Sequence, residues 1–274
     1  MDATATLALA AATVVAGAVS GVLAGLFGIG GGTIIVPALY QALTVLGVDE
    51  AVRMHVSVGT SVGVIVPTSI RSFLAHRKRG AVDMALLKSW LVPVPLGAAA
   101  AAVVAAALSG QALRLIFATL AIVFGVRLIL TREAWRIGDT VPGEPIRGVV
   151  GVAIGFLATL MGIGGGILNN TFMTLYGRTM HQAVATSAGV GVLVSIPGVI
   201  GYAWAGWGIA TLPPFSAGFV NLLALALLIP VSVLTAPLGV HLAHRLSRRQ
   251  LEIGFGLFLL GIAARFIVSL GEGS

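Results

Sequence analysis

The chain has 274 residues, of which 58% are hydrophobic and only 9% charged, with a mean hydropathy of +1.06. Soluble domains carry about 25% charged residues, so the composition predicts an integral membrane protein and excludes a soluble globular domain. Cysteine is absent, which excludes disulfides, thiolate chemistry and cysteine-ligated metal. The net charge of +7 sits in short basic clusters between apolar runs, the positive-inside pattern rather than a nucleic-acid footprint. Those runs are rich in Ala, Leu, Val and Gly without alternation, so they are expected to be helices, not barrel strands.

From Thr4 to about Leu46 the sequence is almost continuously apolar. Thr4 to Phe27 is long enough to span, while Thr33 to Leu46 is short for a crossing that needs about 20 residues. Asp2, with no early Lys or Arg, argues against a cleavable signal peptide. Val52 to Ala75 is the next expected span, ending in His76-Arg77-Lys78-Arg79, and Met84 to Leu108 returns with a kink expected at Pro93 and Pro95. Ala112 to Leu130 follows the Ser109-Gly110-Gln111 turn. Thr131 to Arg147 is the longest polar connection. Gly148 to Met161 and Ile167 to Tyr176 are each too short to cross alone and read as a re-entrant hairpin or one broken helix. Gln182 to Trp204, Phe215 to about Val240 and Leu251 to Leu270 complete the spans, with a second basic cluster from His241 to Arg249.

Two glycine clusters organise this plan. Gly28-Ile29-Gly30-Gly31-Gly32 recurs as Gly162-Ile163-Gly164-Gly165-Gly166, each after a similar apolar segment. Glycine is a poor helix former, so each cluster is expected to interrupt a helix. Non-helical backbone at membrane depth is tolerated only where protein or a polar cavity surrounds it. Two matched breaks therefore predict one shared cavity, as in transporters built from repeats. Gly17, Gly21 and Gly25, and Gly151 and Gly155, also fit a small-residue stripe for helix packing.

Ser57, Gly59 and Pro67 recur as Ser187, Gly189 and Pro197, which extends the duplication. Placing both basic clusters in the cytoplasm puts the Ser109 and Trp207 turns outside and Thr131–Arg147 inside. The expected fold is an all-α integral membrane protein. It has two inverted-topology repeats, each a glycine-broken helical hairpin plus three transmembrane helices. The first repeat is expected over 1–136, a cytoplasmic linker over 137–147 and the second repeat over 148–274.

Helices starting after the breaks would aim their N-termini at the cavity, where free N–H groups and the positive dipole end favour an anion. The candidate substrate-binding residues are Gly30, Gly31, Gly32 and Thr33 with Gly164, Gly165, Gly166, Asn169 and Asn170, joined by Ser57, Thr60, Ser61, Thr186 and Ser187. The asparagines serve interhelical hydrogen bonding equally well, and the hydroxyls have their own helices as alternative partners. None of the nine acidic residues lies clearly mid-span, so no carboxylate relay or carboxylate-built cation site is expected. Arg127 and Arg265 fit snorkelling at span ends. His55 and His181 begin matching spans and fit a solvated boundary, while Arg53 and Arg71 fit either anion attraction or topology signals. No P-loop follows the glycines, HExxH is absent and nothing marks an activated nucleophile, so no enzyme, cofactor or metal is expected. The expected partners are a small anion and the lipid bilayer, with no nucleic acid; a homo-oligomer is left open.

The motif from Gly25 through Gly28-Ile29-Gly30-Gly31-Gly32 to Pro37 resembles the opening segment of the sulfite exporter TauE/SafE family. Ala185-Thr186-Ser187 is similar to a family Ala/Gly-Thr-Ser element that Gly59-Thr60-Ser61 echoes. The resemblance covers essentially the whole chain. It implies export or exchange of sulfite or organosulfonates across the bacterial cytoplasmic (inner) membrane by a multi-pass protein. Asn169-Asn170 departs from the Ile35-Val36-Pro37 region of the first half, so the two half-sites are not expected to be strictly equivalent. Another small anion, a channel and a non-transport membrane scaffold are the competing readings.

Overall fold

The computed structural model describes residues 14, 15, 17–22, 32–130, 136–243 and 248–271, and these are almost entirely helical. A helical segment over 17–22 precedes α1 (Gly32–Val45), α2 (Glu50–Lys78), α3 (Met84–Ser89), α4 (Pro93–Ala107) and α5 (Gly110–Leu130). Then come α6 (Ile146–Leu160), α7 (Gly166–Leu175), α8 (Met180–Ala205), a hairpin of β1 (Ser216–Ala217) and β2 (Val220–Asn221), α9 (Leu222–Ala243) and α10 (Arg248–Gly271). Among the described residues, α2, α5, α8, α9 and α10 are long and apolar enough to cross a membrane. The 21 residues of α5 make a rod of roughly 30 Å, the thickness of a bilayer's hydrocarbon.

Helix starts follow local chemistry. Asp49 caps α2 by accepting from the Ala51 N–H, and Thr179 caps α8 by accepting from the Gln182 N–H. Each cap follows a left-handed glycine, Gly47 at φ +68° and Gly177 at φ +76°, which reverses the chain after α1 and after α7. His76, Arg77 and Lys78 occupy the last turn of α2, where cations complement the helix dipole.

Two expected spans are corrected. Met84 to Leu108 is not one kinked helix: α3 ends at Ser89 and α4 starts at Pro93. Proline lacks an N–H and is pre-organised for a first turn, so Pro93 begins a helix instead of bending one. The interruption is held by Trp90, whose indole N–H donates to the Arg147 carbonyl at 3.0 Å. The last-but-one span starts at Leu222 instead of Phe215, because residues 216–221 form the antiparallel hairpin. Its turn glycine, Gly218 at φ +58°, packs directly on the Ala203 carbonyl, where a Cβ would collide.

The long helices α2 and α8 cross at the centre, where Gly63 lies against Val199 and Leu225 while Gly189 lies against Phe73 and Leu87. The glycines upstream of the breaks pack helices closely across the sequence halves. Gly17 and Gly21 lie on Leu228, Val231, Ser232 and Thr235 of α9; Gly151 and Gly155 lie on Trp90, Pro93 and Val94. Gly25 lies outside the described residues. Likewise α5 packs on α10, with Gly125 against Gly256. The two halves of the sequence thus interlock instead of forming separate bodies.

Candidate functional site

The second glycine cluster interrupts a helix, as its composition predicts. Helix α6 ends at Leu160 and α7 begins at Gly166. Between them Gly162 (φ +66°) and Gly165 (φ +71°) adopt the left-handed conformation that L-residues rarely take. Gly165 is the N-cap of α7 but offers no side chain to its first turn. The first helical bond runs from the Asn169 N–H to the Gly165 carbonyl. The N–H groups of Gly164, Gly165, Gly166, Ile167 and Leu168 therefore have no acceptor among the described residues. Residues 161–167 are all buried.

Gly30 and Gly31 lie outside the described residues, whereas Gly32 opens α1 and is buried. A Cβ on Gly32 would collide with the Gly162 carbonyl. The end of the first cluster therefore touches the start of the second. Ser61 stands at that contact and donates to the Gly162 carbonyl at 2.8 Å, with the Gly32 carbonyl 3.3 Å away. Thr33, in the first turn of α1, is fully buried and its hydroxyl has no partner; the same holds for Thr159, one turn before the second break.

The remaining sequence candidates divide by hydrogen bonding. Ser187 donates to Asn170 Oδ1 and accepts from Asn169 Nδ2, both at 2.6 Å. Asn169 Oδ1 is left buried without a partner. Ser57 donates back to the Arg53 carbonyl, a bond within its own helix. Thr60 and Thr186 are pins: Thr60 Oγ1 accepts the Asn221 N–H and Thr186 Oγ1 accepts the Asp83 N–H, both at 2.9 Å. Asn221 and Asp83 in turn cap the helices that follow, accepting from the Ala224 and Leu86 N–H groups. The structure thus gives Thr60 and Thr186 matching neighbours. By environment Gly189 matches Gly63, one turn along from its sequence match Gly59.

This geometry suits an anion. Five consecutive free N–H groups at a helix start, four of them on buried residues, with two unpartnered hydroxyls, stabilise negative charge without a buried counter-ion. No Asp or Glu is buried among the described residues, and no three His, Asp or Glu side chains there are grouped to hold a metal.

The model of the family described as sulfite exporter TauE/SafE matches residues 13–266. The chain belongs to the sulfite exporter TauE/SafE family. This TauE/SafE member is 33% identical over 248 residues to a "Probable membrane transporter protein" of Haemophilus influenzae, covering 90% of this chain and 94% of the relative. A like-named protein of Methanocaldococcus jannaschii is 28% identical over 261 residues, covering 93% and 94% of the two chains. YunE of Bacillus subtilis, also named a probable membrane transporter protein, is 28% identical over 273 residues, covering 93% and 96%. No solved structure matches. The chain is therefore a multi-pass membrane transporter by family, not an enzyme.

Sequence reasoning missed four residues of this TauE/SafE protein. Asp83 carried a readable signal, standing just before a helical run where caps belong, whereas Asn221 lies inside the apolar run from Phe215. Thr159 carried none. Arg114 was legible as an arginine inside the apolar run from Ala112, and it is 3% exposed.

Proposed function

We propose that this protein is a secondary transporter that exports a small sulfur oxyanion, sulfite or an organosulfonate, across the bacterial cytoplasmic membrane. The anion binds at the contact between the two glycine breaks, on the free N–H groups of Gly164–Leu168 and beside Thr33. The observation that carries this reading is that row of unpartnered N–H groups, buried one hydrogen bond from Ser61. The first cluster supplies the opposite wall through Gly32, which packs against the Gly162 carbonyl; Gly30 and Gly31 lie outside the described residues.

Inverted repeats are supported by reciprocal contacts. The Thr60–Asn221 pair mirrors Thr186–Asp83. Arg127 donates to Thr171 of α7, and Arg265 donates to Gln41 of α1 at 2.8 Å. Each post-break helix is thus held by an arginine from the other half. The halves differ in length: α1 has 14 residues and α7 has 10, about one turn. Thr60 also follows its cap by one turn more than Thr186 does. Lengthening both arms of one hairpin by a turn keeps Thr60-Ser61 level with the break.

Alternating access in such a molecule moves packed pairs drawn from both halves, because the halves interlock and cannot rock as separate blocks. The test is counterflow in proteoliposomes loaded in turn with sulfite, thiosulfate, sulfate and an organosulfonate. Saturable sulfite counterflow supports a sulfite carrier. Selective flux of a different anion reassigns the substrate, unsaturable flux indicates a channel, and no flux of any anion returns the fold to a scaffold role.

A further inference from the structure

A cavity lies away from the breaks, at the end of the bundle where α2 begins. It has a volume of about 510 Å³ and is lined by the first turns of α2, the Leu108–Gln111 turn, Arg114, Ile209 and Phe219. Among the described residues, Arg114 is the only buried Arg, Lys, Asp or Glu. Its guanidinium donates through Nη1 to the Tyr40 hydroxyl at 2.6 Å and through Nη2 to Glu50 Oε1 at 2.8 Å, while Nε has no partner. The two members of that ion pair are unequally placed: the Arg114 side chain is 4% exposed and that of Glu50 is 49% exposed. Removing a buried charge's partner is costly unless another anion replaces it. A half-exposed carboxylate swings into water at little cost.

His55 forms another part of the wall and is 3% exposed. Its Nε2 lies 3.0 Å from the Ala105 carbonyl and 3.1 Å from the Leu108 carbonyl. Two carbonyl acceptors require the proton on Nε2, which leaves Nδ1 as a lone-pair acceptor. Nδ1 is buried without a partner. Phe219, at the tip of the β-hairpin, stacks on the His55 ring at 4.7 Å, and its carbonyl meets Gly59 next to Thr60. Phe219 therefore stands between this cavity and the pins of the break region.

We propose that this cavity is a second binding site, for a small oxyanion that keeps one proton, and that the Glu50 carboxylate is its resident competitor. An anionic oxygen replaces Glu50 on Arg114, and the remaining hydroxyl donates to His55 Nδ1. His55 Nδ1 then gains a donor that a fully deprotonated or hydroxyl-free anion does not supply. This inference does not rest on anion binding at the glycine breaks.

The native absence of cysteine makes a direct test simple. Gln111→Cys places a single exposed thiol on the cavity wall, and its reaction with a neutral maleimide is followed under phosphate at mildly acidic pH, under methanesulfonate, and under chloride at equal ionic strength. Phosphate is expected to protect best, because its dihydrogen form combines one negative charge with hydroxyls that can donate to His55 Nδ1. Adding Glu50→Gln, which keeps the size and removes the competing charge, is expected to lower the half-protecting phosphate concentration by about fivefold, the scale of one half-exposed ion pair. Adding Arg114→Gln is expected to abolish protection, and Gly165→Ala to leave it unchanged. Protection that Glu50→Gln does not alter, protection equal for phosphate and chloride, or no protection at all would overturn the proposal. The Glu50→Gln shift decides the matter even if the Arg114 variant fails to fold.

Discussion

Ser61 donates its hydroxyl to the carbonyl of Gly162 at 2.8 Å, joining residues 101 positions apart in the chain. The acceptor belongs to the backbone of a helix break, where carbonyls have lost their helical partners. The donor sits on the longest helix, α2, which also carries Thr60. One hydroxyl therefore fixes the second break against the first.

Ser61→Ala removes that donor and leaves the Gly162 carbonyl unpaired. A buried unsatisfied group costs about 1–3 kcal/mol, so the variant is expected to unfold at lower temperature in detergent. Ser61→Thr, which keeps the hydroxyl, is expected to recover part of the loss. Thermal unfolding of the three proteins measures this, and equal midpoints would show that the bond contributes nothing.

Thr60→Val and Thr186→Val each remove one acceptor and leave one loop N–H, of Asn221 or Asp83, without a partner. The matching geometry of the two hydrogen bonds predicts similar penalties, about 1–3 kcal/mol each. A large loss in one variant with none in the other would contradict the equivalence.

Single cysteines report topology. Gly110 is unsuitable, since a Cβ there would lie 2.9 Å from the Glu50 and Ala51 carbonyls. Its exposed neighbour Gln111 serves instead. Cysteines at Gln111 and Trp207 are expected to label from outside intact cells, and cysteines at Arg79 and Gly143 to stay protected. Labelling of Arg79→Cys or Gly143→Cys from outside would reverse or break the inverted arrangement.

The parts of the fold that were legible in the sequence have one chemical cause each. Glycine clusters in an apolar run announce a break, and small residues spaced by four announce close helix contacts, as Gly151 and Gly155 show on α4 and its approach. The interruption at Trp90–Val92 reads in the sequence as a proline kink, because Lys88 and Ser89 alone do not distinguish a helix end from a polar face, and the carbonyl that accepts from Trp90 belongs to Arg147, far along the chain. The 216–221 hairpin is equally hidden, being two residues per strand inside apolar sequence. The pairing of Thr60 with Thr186 was blurred by the extra turn in α1 and α2, which shifts the best sequence match by one turn. The candidate site was legible as a set of residue types, but which hydroxyls are already consumed, as in Ser57, depends on contacts that spacing does not reveal.

A pair of glycine variants tests whether the backbone of the second break binds the transported anion. Gly165 and Gly47 both hold positive φ, at +71° and +68°, but Gly47 lies in an open turn with nothing within 4 Å of an added Cβ. Replacing either by alanine imposes a similar left-handed strain, about 1–2 kcal/mol, and Gly165→Ala adds a close contact with Val190 at 3.2 Å, so the comparison is made on the folded fraction of each protein. Sulfite flux is then measured in proteoliposomes containing equal amounts of folded wild type, Gly165→Ala and Gly47→Ala. The expected result is that Gly165→Ala loses most sulfite flux while Gly47→Ala retains it. Full flux in folded Gly165→Ala would contradict anion binding at the break and return its glycines to packing.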